Sequence, residues 1–379
     1  MQRLYFLLIL LFSLGNVFAQ QFFPFIAEKV GSVSQVKENL ITYEDFGIKQ
    51  TGSEILDSVN RWLAEYYESL GYRVLLDSFN DGSASNIIIE KQGLDTNTWI
   101  ILGAHYDSHN TSYGANDNGS GVVATMEIAR IIANVPTQRS VRIINFSGEE
   151  QGFVGSQHYV TNTLNPSEIV NLMLNLDQLG GTKSSDNSKI VCERDEGNKI
   201  PENDALSFLK ADTLATIISQ YTNLEPVIGR AYSSDYIPFE KAGYTIVGLY
   251  QESDYDAFYH SSADRVFNMD TEATEQVIKG ALAATLYFAG IDLLVGVEDI
   301  STNSFHIYPN AASESFQIEG LLETVNMILS NSLGEVVMQK KVAHSMPVEI
   351  SSLSNGLYTV SIYGSDNKYM RTAKLIIAR

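Results

Sequence analysis

A chain of 379 residues, 44% of them hydrophobic and one of them cysteine, can bury a large core but cannot close an internal disulfide, which excludes a disulfide-framed mini-protein. Its 45 acidic against 25 basic side chains give a formal net charge of −20, so phosphate backbones and anionic membrane surfaces are repelled and no nucleic-acid partner is expected. With 18% charged and 10% aromatic residues the composition is that of a folded acidic protein, not of a disordered chain.

Residues 1–19 carry Arg3, an apolar run over 4–12 and Val17-Phe18-Ala19. A positive start, a short apolar stretch and small residues before the break describe a secretory signal cleaved after Ala19. The run is shorter than the roughly 20 residues of a membrane-spanning helix. No later segment is apolar enough to span, so a secreted or cell-surface protein without an integral membrane segment is expected.

Residues 20–295 form the expected large domain. A helix is predicted over 52–70 (Ile55, Val59, Trp62, Leu63, Tyr66 on one face), stopped by Gly71. Strands follow over 73–79, 86–90 and 99–105, then a helix over 121–133 ending before Pro136, a strand over 141–146, further strands over 169–176 and 245–250, and a closing helix over 271–294. Short continuous apolar strands with helical connections predict an α/β fold with a mostly parallel or mixed sheet covered on both faces. Residues 296–379 change texture to short alternating strands over 305–308, 314–318, 324–329, 336–342, 357–363 and 373–377, separated by turns such as Asn355-Gly356, and predict a small all-β sandwich.

In open α/β sheets the chemistry sits beyond the carboxyl ends of the strands. Four such ends carry metal-ligand residue types: Ala104-His105-Tyr106-Asp107, Gly148-Glu149-Glu150, Asp177, and Tyr259-His260. A glycine-rich loop, Gly114-Ala115-Asn116-Asp117-Asn118-Gly119-Ser120-Gly121, opens a helix between the first two. Singly, each has an ordinary explanation: a satisfied histidine, a solvated acid pair, an N-cap. Together, two histidines and three carboxylates suit two divalent ions with one bridging carboxylate and room for water and substrate. Imidazole with carboxylate favours zinc over magnesium or calcium and leaves cobalt and manganese open. Asp107, two residues from His105, can hold its tautomer, and Glu149, beside a proposed ligand, is placed to act as general base.

The stretches Gly103-Ala-His-Tyr-Asp-Ser108, Gly114 to Gly121, Phe146-Ser-Gly-Glu-Glu150, Asn175-Leu-Asp-Gln-Leu-Gly180, Ser234-Asp-Tyr-Ile-Pro-Phe239 and Tyr259-His-Ser-Ser-Ala-Asp264 resemble, in order and spacing, the zinc aminopeptidase family whose fold is shared with glutaminyl cyclases and the transferrin-receptor ectodomain. The resemblance implies a three-layer α/β/α exopeptidase fold with a mixed central sheet and two Zn2+ per chain. It makes Asp117 the bridge, gives one zinc Glu150 and His260 and the other His105 and Asp177, and makes Glu149 the base and Asp107 the residue that orients His105. It also implies a cis bond at Asp117-Asn118. The reaction implied is removal of N-terminal residues from peptide substrates by a hydroxide held between the metals. The same frame supports a single-zinc glutaminyl cyclase, a carboxypeptidase or dipeptidase in which Arg230 would meet a substrate carboxylate, or a binding ectodomain that has lost its ligands. This chain departs from the family at Gln178, often Met or Ile, and at Tyr236, often His; both bear on side-chain preference and not on metal binding. Tyr232 suits either an oxyanion donor or a packing role. Phe305-His-Ile-Tyr-Pro-Asn310, residues 350–358 and Lys374-Leu-Ile-Ile-Ala-Arg379 resemble the sorting domain of the type IX secretion system, which makes that machinery an expected partner.

Overall fold

The computed structural model describes residues 24–197, 200–252, 258–291, 306–319, 321, 324–331, 336–363 and 369–379. The signal expected over 1–19 lies outside them. Two compact units are present, Phe25–Ile291 and one that includes Asp292–Arg379.

The first unit opens with a short helix over Pro24–Val30, followed by α1 (Val36–Asp45) and α2 (Glu54–Ser69). The latter is capped by Ser53, whose hydroxyl accepts from the Leu56 N–H, so the helix begins two residues later than residue 52. Gly71 stands just beyond its end at φ +88°. Then come β1 (Val74–Phe79), β2 (Ala84–Lys91), β3 (Asp95–His105), α3 (Gly119–Ile132), β4 (Arg139–Phe146), the short α4 (Val154–His158) and β5 (Ile169–Leu176). The unit closes with β6 (Lys189–Arg194), α5 (Asp204–Tyr221), β7 (Glu225–Arg230), α6 (Tyr236–Lys241), β8 (Ile246–Gln251) and α7 (Thr271–Ala289). Helix α7 stops five residues short of 294 because Gly290 turns left-handed at φ +80° and caps it.

The eight strands lie in the order β1-β2-β4-β3-β5-β8-β6-β7. Strands β4, β3, β5 and β8 are parallel, while β1, β2 and the β8–β6 junction are antiparallel, so the sheet is mixed. Helices α2, α3, α7 and α5 pack on one face and α4 and α6 on the other, which gives the three layers. Both faces are therefore dry, and β3 is buried from Thr98 to His105. Under α6, Phe239 meets Phe146 with ring centroids 6.2 Å apart and Tyr159 at 5.9 Å.

The second unit is all β. One sheet runs β13-β10-β9 and the other β12-β11-β14-β15, from β9 (His306–Tyr308), β10 (Ser315–Glu319), β11 (Val325–Asn331), β12 (Val336–Val342), β13 (Val348–Glu349), β14 (Gly356–Tyr363) and β15 (Tyr369–Ile377). Phe316 and Ile318 from the first sheet share one core with Met327, Val360 and Leu375 from the second, which makes it a sandwich. Strand β15 begins four residues before the expected 373, and the two-residue β13 carries no alternation by which sequence could mark it.

Candidate metal centre

The carboxyl ends of the adjacent parallel strands β4, β3 and β5 point to one place on the sheet edge. His105 is the last residue of β3. Beyond β4 the chain turns sharply at Gly148, φ +81°, a conformation that glycine takes without steric cost, and so presents Glu149 and Glu150. Asp177 follows β5 directly. His260 arrives from the segment after β8 at φ +52°, its ring stacked between Tyr259 (3.7 Å between centroids) and His109 (4.1 Å).

Asp117 comes from the loop before α3. It is not the N-cap of that helix: Asn118 is, its side-chain oxygen accepting from the Gly121 N–H at 2.9 Å while its amide donates to the Leu176 carbonyl at 2.9 Å. That pair ties the start of α3 to the end of β5 and sets Asp117 beside Asp177. The Asp117-Asn118 bond is cis.

All five side chains proposed as ligands meet. Asp117 Oδ1 is 3.2 Å from His105 Nε2, and its Oδ2 is 3.4 Å from His260 Nε2. On the outer sides, Asp177 Oδ1 is 3.4 Å from His105 Nε2 and Glu150 Oε2 is 3.1 Å from His260 Nε2. Two groups of three result, His105/Asp117/Asp177 and Asp117/Glu150/His260, sharing Asp117. Two buried atoms that meet at this point, His105 Nε2 and Asp177 Oδ1, have no hydrogen-bond partner among the described residues. Orphaned imidazole and carboxylate atoms gathered with no apolar filling are what divalent cations would satisfy, so the residues fit the metals expected of them.

The other two expected residues stand alongside. Asp107 is fully buried, with its backbone oxygen 3.2 Å and its Oδ1 3.5 Å from His105 Nδ1. The same carboxylate accepts from the backbone N–H groups of Glu149 and Glu150, both at 3.3 Å. Glu149 lines the adjoining cavity. Burial pushes its carboxyl up to about 10, with Asp177, Asp235 and Asp117 adding to the rise and His105 opposing it. Burial and then Asp117 raise Glu150 to about 8. Burial also acts on Asp117, but the two imidazoles outweigh it and hold that carboxylate down at about 2.

Three residues without an assigned role in the sequence reading support the site. Asp264 accepts from the N–H of Asn116 at 2.7 Å and of Asp117 at 3.1 Å, and from Ser112 Oγ at 3.3 Å, so it fixes the loop that carries the shared carboxylate. Asp264→Ala is expected to weaken zinc binding about 10- to 100-fold, measured by chelator competition, because loop and ligand lose their anchor together. Ser234 Oγ donates to Asp177 Oδ2 at 2.6 Å. Lys49 is fully buried and donates to the carbonyls of Gly47 and Tyr113, both at 2.7 Å, its ammonium held down at about 7 by burial. Of the residues left open, Tyr232 is 86% exposed, which removes it from any packing role, and Arg230 is exposed at the end of β7.

Comparison with known proteins agrees with this geometry. A model described as peptidase family M28 matches residues 86–285, and one described as a secretion system C-terminal sorting domain matches residues 306–378. Aminopeptidase YwaD of Bacillus subtilis (strain 168) is 30% identical over 212 residues, 53% of this chain and 44% of that protein. Leucine aminopeptidase 2 of Trichophyton rubrum is 39% identical over 108 residues, 28% of this chain and 22% of its own length. The chain thus spans less than half the length of these curated relatives. Among solved structures, the LapA aminopeptidase of Legionella pneumophila aligns with a TM-score of 0.63 at 20% identity, over 70% of this chain and 73% of that one. BSAP, a zinc aminopeptidase from Bacillus subtilis, aligns at 0.57 and 18%, over 67% and 95%. At such identities the likeness shows the shared fold.

Proposed function

The chain belongs to peptidase family M28, and from that premise we propose that it is an exported di-zinc aminopeptidase. The observation that carries the reading is Asp117 standing between two imidazoles with one further carboxylate on each outer side. Held by His105 and Asp177, by Glu150 and His260, and by Asp117 between them, two zinc ions would polarise the scissile carbonyl and acidify the attacking water. Asp107 orients His105 through Nδ1 and keeps Nε2 turned to the centre. Glu149, beside Glu150 and lining the cavity, takes the proton of the attacking water and delivers it to the leaving amine. The sorting-domain match over residues 306–378 supports export through type IX machinery to the cell surface or beyond. No helix among the described residues is long and apolar enough to cross a membrane.

The reading is tested by elemental analysis and a panel of aminoacyl nitroanilides with and without chelator. Two zinc ions per chain and chelator-sensitive release from free N-termini are expected. One zinc per chain, or cleavage of N-blocked peptides, overturns it.

Metal removal has a signed consequence. In the metal-free chain Glu149, Glu150, Glu193 and Asp235 are acids with raised pKa values, about 10, 8, 8 and 7, and His105 and His260 are raised bases. The folded chain then holds protons that the unfolded chain releases, so the stability these groups contribute is present at low pH and lost as pH rises through the folded values. The depressed Asp117 acts in the opposite sense only below that range, and the depressed Lys49 opposes the fall from about pH 7 upward without outweighing the several raised acids. The melting temperature of chelated protein is therefore expected to fall between about pH 5 and pH 8, and zinc to reverse most of the fall, as differential scanning calorimetry would record.

A further inference from the structure

Beside the metal centre lies a cavity of about 570 Å3 lined by Glu150, Asp177 and His260 and also by Val191, Glu193 and Tyr236. Glu193, on β6, is 7% exposed. In register it faces Gly248 of β8 and Gly229 of β7, and it is Gly248 that makes room for it. A Cβ at position 248 would stand 2.2 Å from Glu193 Oε2, so any residue larger than glycine would push the carboxylate out of this place.

The hydrogen bonds at Glu193 are directional. Tyr236 Oη accepts from the N–H groups of Tyr232 at 2.8 Å and Ser233 at 3.2 Å, so its single proton is left to donate to Glu193 Oε1 at 3.0 Å. Oε1 is thereby committed as an acceptor. No Lys, Arg or His of the described residues forms an ion pair with Glu193, and its carboxyl is raised by burial. Arg230 lines the same cavity from an exposed position and does not close that gap. A nearly buried carboxylate without a cation is costly to keep, and the cavity gives a cation from outside the protein a route to it. Tyr236 is also one of the two positions at which the sequence departs from the resembled family.

We infer that this cavity receives the side chain of the substrate's N-terminal residue, and that Glu193, positioned by Tyr236, makes it select a basic one, lysine or arginine. The inference rests on the aminopeptidase reading and adds a substrate class to it. Ion pairing at Glu193 would leave the aliphatic stem of the side chain against Val191.

Lysyl, arginyl, norleucyl, glutaminyl and leucyl nitroanilides test it, with wild type and Glu193→Gln compared at equal zinc content. Lysine and norleucine differ chiefly by the ammonium group. Wild type should favour lysyl over norleucyl by about tenfold or more in kcat/KM, and Glu193→Gln should cut that ratio by about tenfold. A wild type that treats the two alike, a preference for glutamine over lysine, or a ratio unchanged in zinc-replete Glu193→Gln overturns the inference. Should the variant not fold, competitive inhibition of wild type decides: lysinamide should bind more tightly than norleucinamide, and equal binding overturns the inference. The two readings fail differently. A wild type that releases no residue from any free N-terminus sinks the aminopeptidase reading and this inference with it; one that releases leucine as readily as lysine sinks this inference alone.

Discussion

Asp117→Ala is expected to yield a chain that holds neither zinc ion and releases no N-terminal residues. Each group of three possible ligands contains Asp117, so its loss leaves two protein atoms for each ion, His105 with Asp177 and Glu150 with His260. Elsewhere a ligand can be lost and one ion kept; here a single side chain faces both histidines. Stability should follow the metal. At a thousandfold excess of zinc over its dissociation constant, binding stabilises the native state by about 4 kcal/mol, on the order of 10 °C for a unit of this size. Wild type should gain that increment from added zinc and the variant should not, so their melting curves separate in zinc and approach each other in chelator. Elemental analysis is the decisive measurement: two zinc ions retained in Asp117→Ala would exclude the shared role.

Glu149→Gln should do the reverse, losing turnover while keeping metal. Glu149 belongs to neither group of possible ligands, yet it lines the cavity and its backbone N–H is held by Asp107. The amide keeps the shape and cannot shuttle the proton, so kcat should fall by roughly 10²- to 10⁴-fold with KM little changed. Zinc content and melting temperature should match wild type. Near-normal turnover in the zinc-replete variant would remove Glu149 from the reaction.

The central sheet was readable where burial on both faces made a strand continuously apolar. Residues 169–176 are legible as β5 because its last five residues are buried and only its N-terminal end meets water. Helix α5 escaped because its pattern runs against its burial: Leu206 and Leu209 are 53% and 63% exposed, whereas Ser207 is fully buried, donating to the Ile246 carbonyl and accepting from the Asp195 N–H. Strand β7 escaped because it is short, half exposed and carries Pro226, a residue tolerated only where no ladder hydrogen bond is needed. Strand order is also silent in a single sequence, since β4 lies between β2 and β3 and β8 between β5 and β6. The residues at the centre were legible because they close apolar strands with metal-binding side chains. Glu193 was not: a glutamate after Cys192 in a short strand reads as a solvated charge, and only the strand pairing reveals that Gly248 leaves it a buried place. Asp264 ends the stretch Tyr259 to Asp264, but its grip on residues 112–117 is a long-range contact that spacing cannot express.

The order of strands also separates two kinds of heritable change. Three of the five proposed ligands, His105, Glu150 and Asp177, lie at or just beyond the carboxyl ends of β3, β4 and β5 in the middle of the sheet, while Val191 and Glu193 line the cavity from β6 toward one edge. On the proposed reading, substitutions at 191 or 193 alter which residue is admitted while the strands that carry those three ligands stay as they are. A lineage built on this frame is free to diversify its diet from the margin while the chemistry at the middle stays fixed.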